Sequence, residues 1–322
     1  MNDDARWMTA AIALGERGRG RTAPNPCVGC VIVKDGLLVG GGWTQPSGRP
    51  HAEAMALLEA GEQARDATAY VTLEPCAVPG RGPACADELV RAGVTRVVAA
   101  VADPFPLVDG KGFARLRGAG IEVVIGPGAE EAERSMAGFL TRQRLGRPYV
   151  TLKLAMSVDG KIALPSGESK WITGEDARAH VHLERARADM ILVGRGTYEA
   201  DRPRLDVRLP GLEDHTPRRA LLTRGAGAEG WARLGAPEEV HGLHDVNDLL
   251  IEGGSGAASA FLSADLVDRL LVYRAPLLIG EGKSSIGYIG LTNIADAHRR
   301  WRLADTRPLG MDRLEVYERV RD

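Results

Sequence analysis

The chain has 322 residues, of which 44% are hydrophobic and 26% charged, a composition typical of a folded protein with room for two domains. Its formal net charge at pH 7 is −2 and no run of lysine or arginine stands out, which argues against a nucleic-acid partner. No apolar stretch is long enough to span a membrane, and four cysteines are too few for a disulfide framework, so we expect a cytoplasmic protein.

The first half alternates helices with strands. We expect a helix from Asp3 or Asp4 to about Gly18, then a hairpin of strands 31–33 and 37–43 joined at Asp35-Gly36. Further helices are predicted at residues 51–60, 85–92, 111–119 and 129–144, and further strands at residues 68–73, 94–101 and 121–125. This alternation predicts a three-layer α/β domain over residues 1–145.

Two short stretches of this half carry chemistry. His51 and Glu53 open one predicted helix, while Cys76 and Cys85 flank a loop that leads into another. One imidazole and two thiolates are ligands that Zn²⁺ prefers, and three protein ligands leave the fourth position open, as in catalytic sites. Glu53 is not needed as a ligand and is placed to move protons for a water whose pKa the metal lowers. The pattern matches the signature of zinc nucleobase deaminases, here with eight residues between the two cysteines.

The alternative is that the two cysteines are ordinary buried residues and His51 is a surface residue. Both halves of the pattern occur in order, each at a predicted strand-to-helix junction, which favours a zinc site. Asn25 lies between two prolines, and its amide suits a pyrimidine edge or a sugar hydroxyl; a plain turn residue is an equal alternative. Cys27 and Cys30 lie along an apolar strand, where buried small residues are favoured over a second metal or redox site.

The second half, residues 146–322, begins after a short linker and is also predicted to be α/β. Predicted strands are residues 149–156, 161–163, 190–193, 220–223 and 249–252, predicted helices are residues 175–188 and 257–262, and the tail is strand-rich at residues 268–279 and 301–320. A glycine-rich turn, Gly253-Gly254-Ser255-Gly256, joins the last strand of the first group to a helix, which would let backbone amides approach a phosphate. The turn does not spell the full dinucleotide fingerprint, so the pattern alone leaves cofactor binding open.

Taken together, these motifs resemble the bifunctional deaminase–reductase family of riboflavin biosynthesis over nearly the whole chain. In the first half the resemblance is carried by Pro24-Asn25-Pro26, His51-Ala52-Glu53, and Thr72-Leu73-Glu74-Pro75-Cys76 with Gly80-Arg81 and Cys85. In the second half it is carried by Leu152-Lys153-Leu154-Ala155, Asp159-Gly160-Lys161, Trp171-Ile172-Thr173, Asp201 with Pro203 and Leu205, and Glu252-Gly253-Gly254. The resemblance implies a cytidine-deaminase-like N-terminal domain and a C-terminal domain similar in fold to dihydrofolate reductase.

The resemblance also implies two consecutive reactions on a small phosphorylated pyrimidine. Zinc-dependent hydrolysis would remove the 2-amino group of a diaminopyrimidinone that carries a ribosylamino 5′-phosphate, and NADPH would then reduce the ribosyl chain to ribityl. The implied deaminase substrate contacts are Asn25 and Arg81. The implied reductase substrate contacts are Lys153, Ser169, Arg185, Leu205, Arg208 and Glu252. The implied NADPH contacts are Ala155, Trp171, Thr197, Asp201, Gly254, Ser255, Gly256, Ala257, Ala258, Ser259 and Ala260. We expect a homo-oligomer, either a dimer or a tetramer.

The chain departs from the family pattern at two places. Ala77-Val78-Pro79 replaces the usual Ser-His after the first cysteine, and Arg202 replaces the second aspartate of Asp-Asp-Pro. One alternative is a single-activity deaminase, of a pyrimidine or of a transfer RNA base, with a degenerate second domain. Another is a zinc-stabilised binding module without turnover, in which Cys27 or Cys30 would complete a closed, four-ligand site.

Overall fold

The structure is a computed structural model that describes residues 3–78 and 82–321. The chain folds into two compact units, and the boundary between them follows Gly146. The boundary expected after residue 145 lies one residue before this division. Among the described residues, no helix combines the length and the hydrophobicity needed to cross a membrane.

The first unit is built on one five-stranded sheet. Its strands are β1 (Gly29–Lys34), β2 (Leu37–Trp43), β3 (Thr68–Leu73), β4 (Arg96–Val101) and β5 (Glu122–Ile125), in the order β2-β1-β3-β4-β5. Strand β1 is antiparallel to β2 and β3, whereas β3, β4 and β5 are parallel. The central strands are continuous apolar runs because helices cover both faces of the sheet.

Six helices cover this sheet. They are α1 (Asp3–Gly15), α2 (Ala52–Ala60), α3 (Cys85–Ala92), α4 (Lys111–Gly118), α5 (Ala129–Ser135) and α6 (Ala137–Leu145). Helix α1 packs on one face and α2 on the other: Gly41 of β2 meets the Leu14 side chain, while Gly40 and Gly42 meet the backbone of α2. The three layers agree with the predicted arrangement.

Two predicted helices of the first unit differ in detail from the structure. The first helix ends at Gly15 and continues only as a 3-10 turn, Glu16–Gly18. The helix predicted over residues 129–144 is interrupted at Met136, whose φ of −101° and ψ of 18° leave the helical range, so α5 and α6 are separate. The Met136 side chain is buried in the core, and its packing there overrides the helical pattern.

The second unit contains an eight-stranded sheet in the order β10-β9-β8-β11-β6-β12-β15-β14. Its strands are β6 (Tyr149–Ser157), β8 (Met190–Gly194), β9 (Arg218–Leu222), β10 (Ala232–Leu234), β11 (Asp248–Glu252), β12 (Arg269–Ala275), β14 (Trp301–Leu309) and β15 (Asp312–Arg319). The strands from β10 to β12 in this order are parallel, and the β14–β15 hairpin extends the sheet in antiparallel fashion. A small separate sheet pairs β7 (Lys161–Ala163) with β13 (Lys283–Ser284).

Three helices accompany the larger sheet: α7 (Glu175–Ala186), α8 (Arg195–Asp201) and α9 (Ser255–Ser263). Helix α9 begins two residues earlier than predicted, because Gly254 already occupies the extended N-cap position. Helix α8 was not predicted, since Gly194-Arg195-Gly196-Thr197 looks like a loop when read alone. Parallel strands β6, β8 and β11 end at the same edge of the sheet, where ligands of open α/β sheets bind.

Candidate functional site

The three predicted zinc ligands lie together in the first unit. His51 directly precedes α2, Cys85 is the first residue of α3, and Cys76 follows β3 in a loop. Nδ1 of His51 lies 3.2 Å from Sγ of Cys85 and 3.7 Å from Sγ of Cys76, and the three donor atoms all lie within 4.8 Å of one another. A tetrahedral zinc ion would hold a nitrogen and a sulfur ligand about 3.6 Å apart, so these residues fit Zn²⁺.

Hydrogen bonds already join the three ligand side chains. The backbone N–H of Cys85 donates to Sγ of Cys76 over 3.3 Å. A hydrogen bond between the Cys85 and Cys76 side chains holds the pKa of Cys76 well below its usual range. The same hydrogen bond, together with burial, raises the pKa of Cys85. The bond to Cys76 also raises the pKa of His51. One thiol therefore readily becomes a thiolate, and binding of a cation would favour the thiolate form of the second.

Glu53 lies in the first turn of α2 and is only 3% exposed. Burial raises the pKa of its carboxyl to about 7, against the opposing effect of His51. A carboxyl that changes protonation near neutral pH, next to a candidate metal site, is suited to accept and return protons. The structure thus places Glu53 where the sequence predicted a proton shuttle.

The other candidates in the first unit have different surroundings. Asn25 is partly buried and packs against Gly48, where a Cβ atom would lie 1.9 Å from Asn25 Nδ2. Arg81 lies outside the described residues. Cys27 and Cys30 are buried and form no disulfide, and Sγ of Cys27 donates to the carbonyl oxygen of Ser135 over 3.4 Å. Within residues 3–78 and 82–321, His51, Cys76 and Cys85 form the one group suited to a metal, without a fourth ligand from Cys27 or Cys30.

A cavity of about 1100 Å³ in the second unit collects most of the predicted reductase residues. Of the predicted substrate contacts, Lys153, Ser169, Arg185, Leu205, Arg208 and Glu252 line it. Of the predicted cofactor contacts, Ala155, Trp171, Thr197, Asp201, Gly254, Ser255, Gly256 and Ala257 line it. The cavity lies at the edge where β6, β8 and β11 end, so the topology explains why residues distant in sequence meet there.

Three predicted cofactor contacts are not brought to this cavity. Ala258 is fully buried in the hydrophobic core beneath α9. The Ser259 hydroxyl donates to the Ser255 carbonyl and accepts the Gly287 N–H, and neither Ser259 nor Ala260 lines the cavity. Helix geometry is the reason, since only the first turn of α9 opens on the cavity and the next residues turn toward the sheet.

A buried charge cluster forms the floor of the cavity. Nε and Nη2 of Arg185 donate to the two carboxylate oxygens of Glu252 over 2.6 and 2.9 Å, and Nη1 donates to the carbonyl oxygen of Asp206 over 3.0 Å. Nζ of Lys153 lies 3.9 Å from Oε2 of Glu252. Burial lowers the pKa of Lys153. Burial also acts to raise the pKa of Glu252, but the neighbouring cations of Arg185 and Lys153 outweigh this effect and hold that pKa below its usual value.

Several lining residues were missed by the sequence analysis. Arg195 opens α8, and its Nε donates to Oγ1 of Thr223 over 2.8 Å. The Arg178 guanidinium lies 4.7 Å from the ring centroid of Trp171. No motif marks Arg195 or Arg178, because each reaches the cavity through the fold and not through spacing along the chain.

Comparison with known proteins agrees with both sites. Residues 1–101 match the family model for the cytidine and deoxycytidylate deaminase zinc-binding region, and residues 148–314 match the model for the RibD C-terminal domain. Fold and site together therefore define an enzyme that joins a zinc-binding deaminase domain to a reductase domain.

The relatives span the whole chain. The riboflavin biosynthesis protein RibD of Escherichia coli (strain K12) is 41% identical over 96% of this chain and 97% of its own. The solved structure of Acinetobacter baumannii RibD, form 1, is 39% identical with a TM-score of 0.90, over 99% of both chains. The diaminohydroxyphosphoribosylaminopyrimidine deaminase/5-amino-6-(5-phosphoribosylamino)uracil reductase of Thermotoga maritima is 31% identical with a TM-score of 0.89, also over 99% of both. The chain belongs to the RibD family of riboflavin biosynthesis proteins.

Family membership confirms the predicted class of enzyme. The fold class, the pairing of a deaminase with a reductase, and the cofactors Zn²⁺ and NADPH are those of the family. The two family models match a deaminase domain and a reductase domain. They do not match the alternatives of a single-activity deaminase or a zinc-stabilised module without turnover.

Proposed function

We propose that the chain deaminates 2,5-diamino-6-(5-phosphoribosylamino)pyrimidin-4(3H)-one and then uses NADPH to reduce the ribosyl chain of the product to ribityl. The observation that carries the proposal is the grouping of His51, Cys76 and Cys85 beside the buried carboxyl of Glu53. The Thermotoga maritima relative is a diaminohydroxyphosphoribosylaminopyrimidine deaminase and a 5-amino-6-(5-phosphoribosylamino)uracil reductase, which supports the same two substrates here.

In the deaminase unit His51, Cys76 and Cys85 would hold Zn²⁺, which makes a water molecule acidic near neutral pH. The Glu53 carboxylate would accept one proton of that water and deliver it to the pyrimidine ring nitrogen. It would then move the proton of the hydroxyl newly bonded to the ring carbon to the amino group, which leaves as ammonia while the carbon becomes a carbonyl. Burial raises the pKa of this carboxyl, which helps Glu53 to give up each proton after accepting it. Asn25 and Arg81 would hold the ring and the ribosylamino group.

In the reductase unit we assign the sugar end of the substrate to the Lys153–Glu252 floor of the cavity. All three guanidinium nitrogens of Arg185 donate to Glu252 and Asp206, so Arg185 serves mainly to orient the Glu252 carboxylate. Arg208 is largely exposed at the rim and is better placed to bind the 5′-phosphate, as a guanidinium can do with two hydrogen bonds. Ser169 and Leu205 complete the proposed substrate contacts.

NADPH would enter between the small sheet and α9 and supply the hydride. The first turn of α9, Ser255 to Ala257, would offer backbone N–H groups for the cofactor phosphates, and its N-cap, Gly254, would contact them as well. Oγ1 of Thr197 already accepts the N–H of Gly254 over 3.0 Å, which fixes this turn. Ala155, Trp171 and Asp201 are the other proposed cofactor contacts; our proposal leaves out Ala258, Ser259 and Ala260.

We also propose that the enzyme works in the cytoplasm as a homo-oligomer, either a dimer or a tetramer. The four cysteines form no disulfide, and thiolate ligands to a metal are best kept in a reducing compartment. Strand β14 is an outer strand whose side chains are mostly exposed, which leaves an edge to which a second copy could pair. Light scattering of the purified protein tests the oligomeric state.

Product analysis by mass spectrometry tests the proposed reactions. Without NADPH, the diaminopyrimidinone phosphate should lose one amino group and gain one oxygen. With NADPH, the same product should gain two further hydrogens and one NADPH should be oxidised per molecule. Unchanged substrate in both incubations would contradict the proposal, and deamination without NADPH oxidation would restrict the activity to the first unit.

A further inference from the structure

We propose that Glu74 is a positioning residue of the deaminase site, which holds the Cys76 ligand loop against the amino end of α4. The inference rests on the proposed zinc ligands and goes beyond them, because Glu74 itself is not a ligand. It assigns to one buried carboxylate the task of fixing Cys76, the one proposed ligand that lies in a loop.

The Glu74 carboxylate is surrounded by backbone donors. Its Oε1 accepts the N–H groups of Gly112 over 2.8 Å and of Phe113 over 3.3 Å. Its Oε2 accepts the N–H groups of Gly110 over 3.0 Å and of Asp103 over 3.3 Å. The residue is 3% exposed, and no described lysine, arginine or histidine lies within ion-pair distance of it. Four backbone donors, and not a cation, therefore stabilise this buried carboxylate.

The donors show that Glu74 caps α4 from a distant part of the chain. Helix α4 begins at Lys111, and its N-cap residue, Gly110, has no side chain with which to satisfy the first N–H groups. The Glu74 carboxylate takes over this task, and its negative charge is favourable at the positive end of the helix. The cap joins the end of β3 to a helix more than thirty residues later in the chain: Phe113 lies 39 residues after Glu74.

The same cap presses α4 onto the peptide next to Cys76. A Cβ atom on Gly112 would lie 2.0 Å from the carbonyl oxygen of Pro75, so only a glycine allows this approach. On its other side, the Cys76 carbonyl oxygen accepts the N–H of Ala86, in α3, over 3.1 Å. Cys76 is thus held between the amino ends of α3 and α4.

Cys76 depends on this support more than the other two ligands do. His51 adjoins α2 and Cys85 begins α3, so a helix fixes each of their backbones. Cys76 lies two residues beyond Glu74 and has no helix of its own. Residues that orient metal ligands commonly change metal affinity about 10–100-fold when they are replaced, and Glu74 meets that description here.

The test is the zinc affinity of the full-length Glu74→Gln variant, measured by competition with a chelator. An amide places an NH₂ group against backbone N–H donors, so at least one pair of hydrogen bonds is lost. We expect zinc to bind about 10–100-fold more weakly, while NADPH oxidation with the deaminated substrate, a readout of the second unit, stays unchanged. Glu59→Gln is the matched control, since Glu59 also accepts a backbone N–H, that of Gly41 over 2.6 Å, and should leave zinc affinity unchanged.

Gly112→Ala is the second variant, because it displaces Pro75 without altering the Glu74 charge. It should weaken zinc binding as well, and it decides the matter if Glu74→Gln does not fold. Zinc affinity within about twofold of the parent chain in the folded variants would overturn the positioning role. Failure of the proposed function looks different: the parent chain would bind no zinc, or Cys76→Ser would bind it as tightly as the parent does.

Discussion

At the scale of single residues, the proposed deaminase chemistry depends on a carboxyl that the fold removes from water. Glu53 lies in the first turn of α2, two residues after His51. Burial raises the pKa of its carboxyl to about 7, and a cation bound nearby would lower it.

The buried position of the Glu53 carboxyl predicts the pH dependence of deamination. A base must be ionised to accept a proton, so kcat/KM should rise with pH through a midpoint below about 7 and then level off. Glu53→Gln should retain zinc and lose about 10²–10⁴-fold in rate, together with this acid limb. Steady-state rates across the pH range and zinc analysis by atomic absorption check both points. A Glu53→Gln enzyme with the parent rate would remove the proposed proton shuttle.

A second residue-scale prediction concerns Glu252. Glu252→Gln leaves the Arg185 and Lys153 cations without their counter-charge, and breaking a buried ion pair costs about 3–5 kcal/mol. We expect NADPH oxidation with the deaminated substrate to fall at least about tenfold, while deamination is unaffected. Glu315→Gln, which breaks an ion pair with Arg274 elsewhere in the second unit, is the matched control. Equal reductase rates in the two variants would argue against a role for Glu252.

Residues could be predicted from the sequence where spacing alone encodes the site. His51, Glu53, Cys76 and Cys85 belong to this kind, since two short motifs at helix starts specify them. The sequence analysis named Glu74 only as part of a motif. Its hydrogen bonds could not be predicted, because the fold brings the backbone donors at residues 103–113 to it. The cavity residues Arg195 and Arg178 were missed for the same reason.

At the scale of elements, strand β2 and helix α2 depend on a close backbone contact. A Cβ atom on Gly42 would lie 2.3 Å from the carbonyl oxygen of Ala52, and one on Gly40 would lie 2.3 Å from that of Ala56. A Cβ atom on Gly41 would meet two flexible side chains, Leu14 at 3.1 Å and the Glu59 carboxylate at 3.7 Å, and no backbone. Alternation along the strand thus decides which glycines are required.

The contact predicts different effects of neighbouring substitutions. Gly42→Ala should displace the start of α2, which carries His51 and Glu53, and cost about 1–3 kcal/mol of stability as overpacking does. Zinc affinity and deamination should fall with it. Gly41→Ala should change the free energy of unfolding and the zinc affinity little. Denaturant unfolding and chelator competition on both variants check this, and equal behaviour of the pair would contradict the packing argument.

Two elements were predicted incorrectly, for different physical reasons. The helical pattern of residues 129–144 gives no sign of the break at Met136, whose side chain is buried in the core, so tertiary packing overrides the local pattern there. Helix α8 buries none of its residues, and it follows strand β8 through a glycine-containing stretch. Its start therefore has the appearance of a loop in the sequence.

At the scale of the whole molecule, the two activities reside in units with separate cores. The proposed zinc ligands all belong to the first unit, which ends at Gly146, and the cavity of the proposed reductase site belongs to the second. The alternation of strands and helices allowed the two α/β domains to be predicted. Strand order in the larger sheet could not be read from the sequence, because neighbours such as β6 and β12 are far apart along the chain.

This division predicts that metal removal affects one activity only. Dialysis against a chelator should abolish deamination and leave NADPH oxidation with the deaminated substrate at its initial rate. Adding Zn²⁺ back should restore deamination, whereas Mg²⁺, which prefers oxygen ligands, should not. Loss of both activities on chelation would show that the reductase unit also requires the metal.

The placement of the two sites in separate units has a consequence for cells that run short of zinc. The proposed zinc ligands belong to the first unit, whereas the cavity of the proposed reductase site belongs to the second. Zinc starvation should therefore make the undeaminated pyrimidine build up, while deaminated pyrimidine supplied from outside would still be reduced.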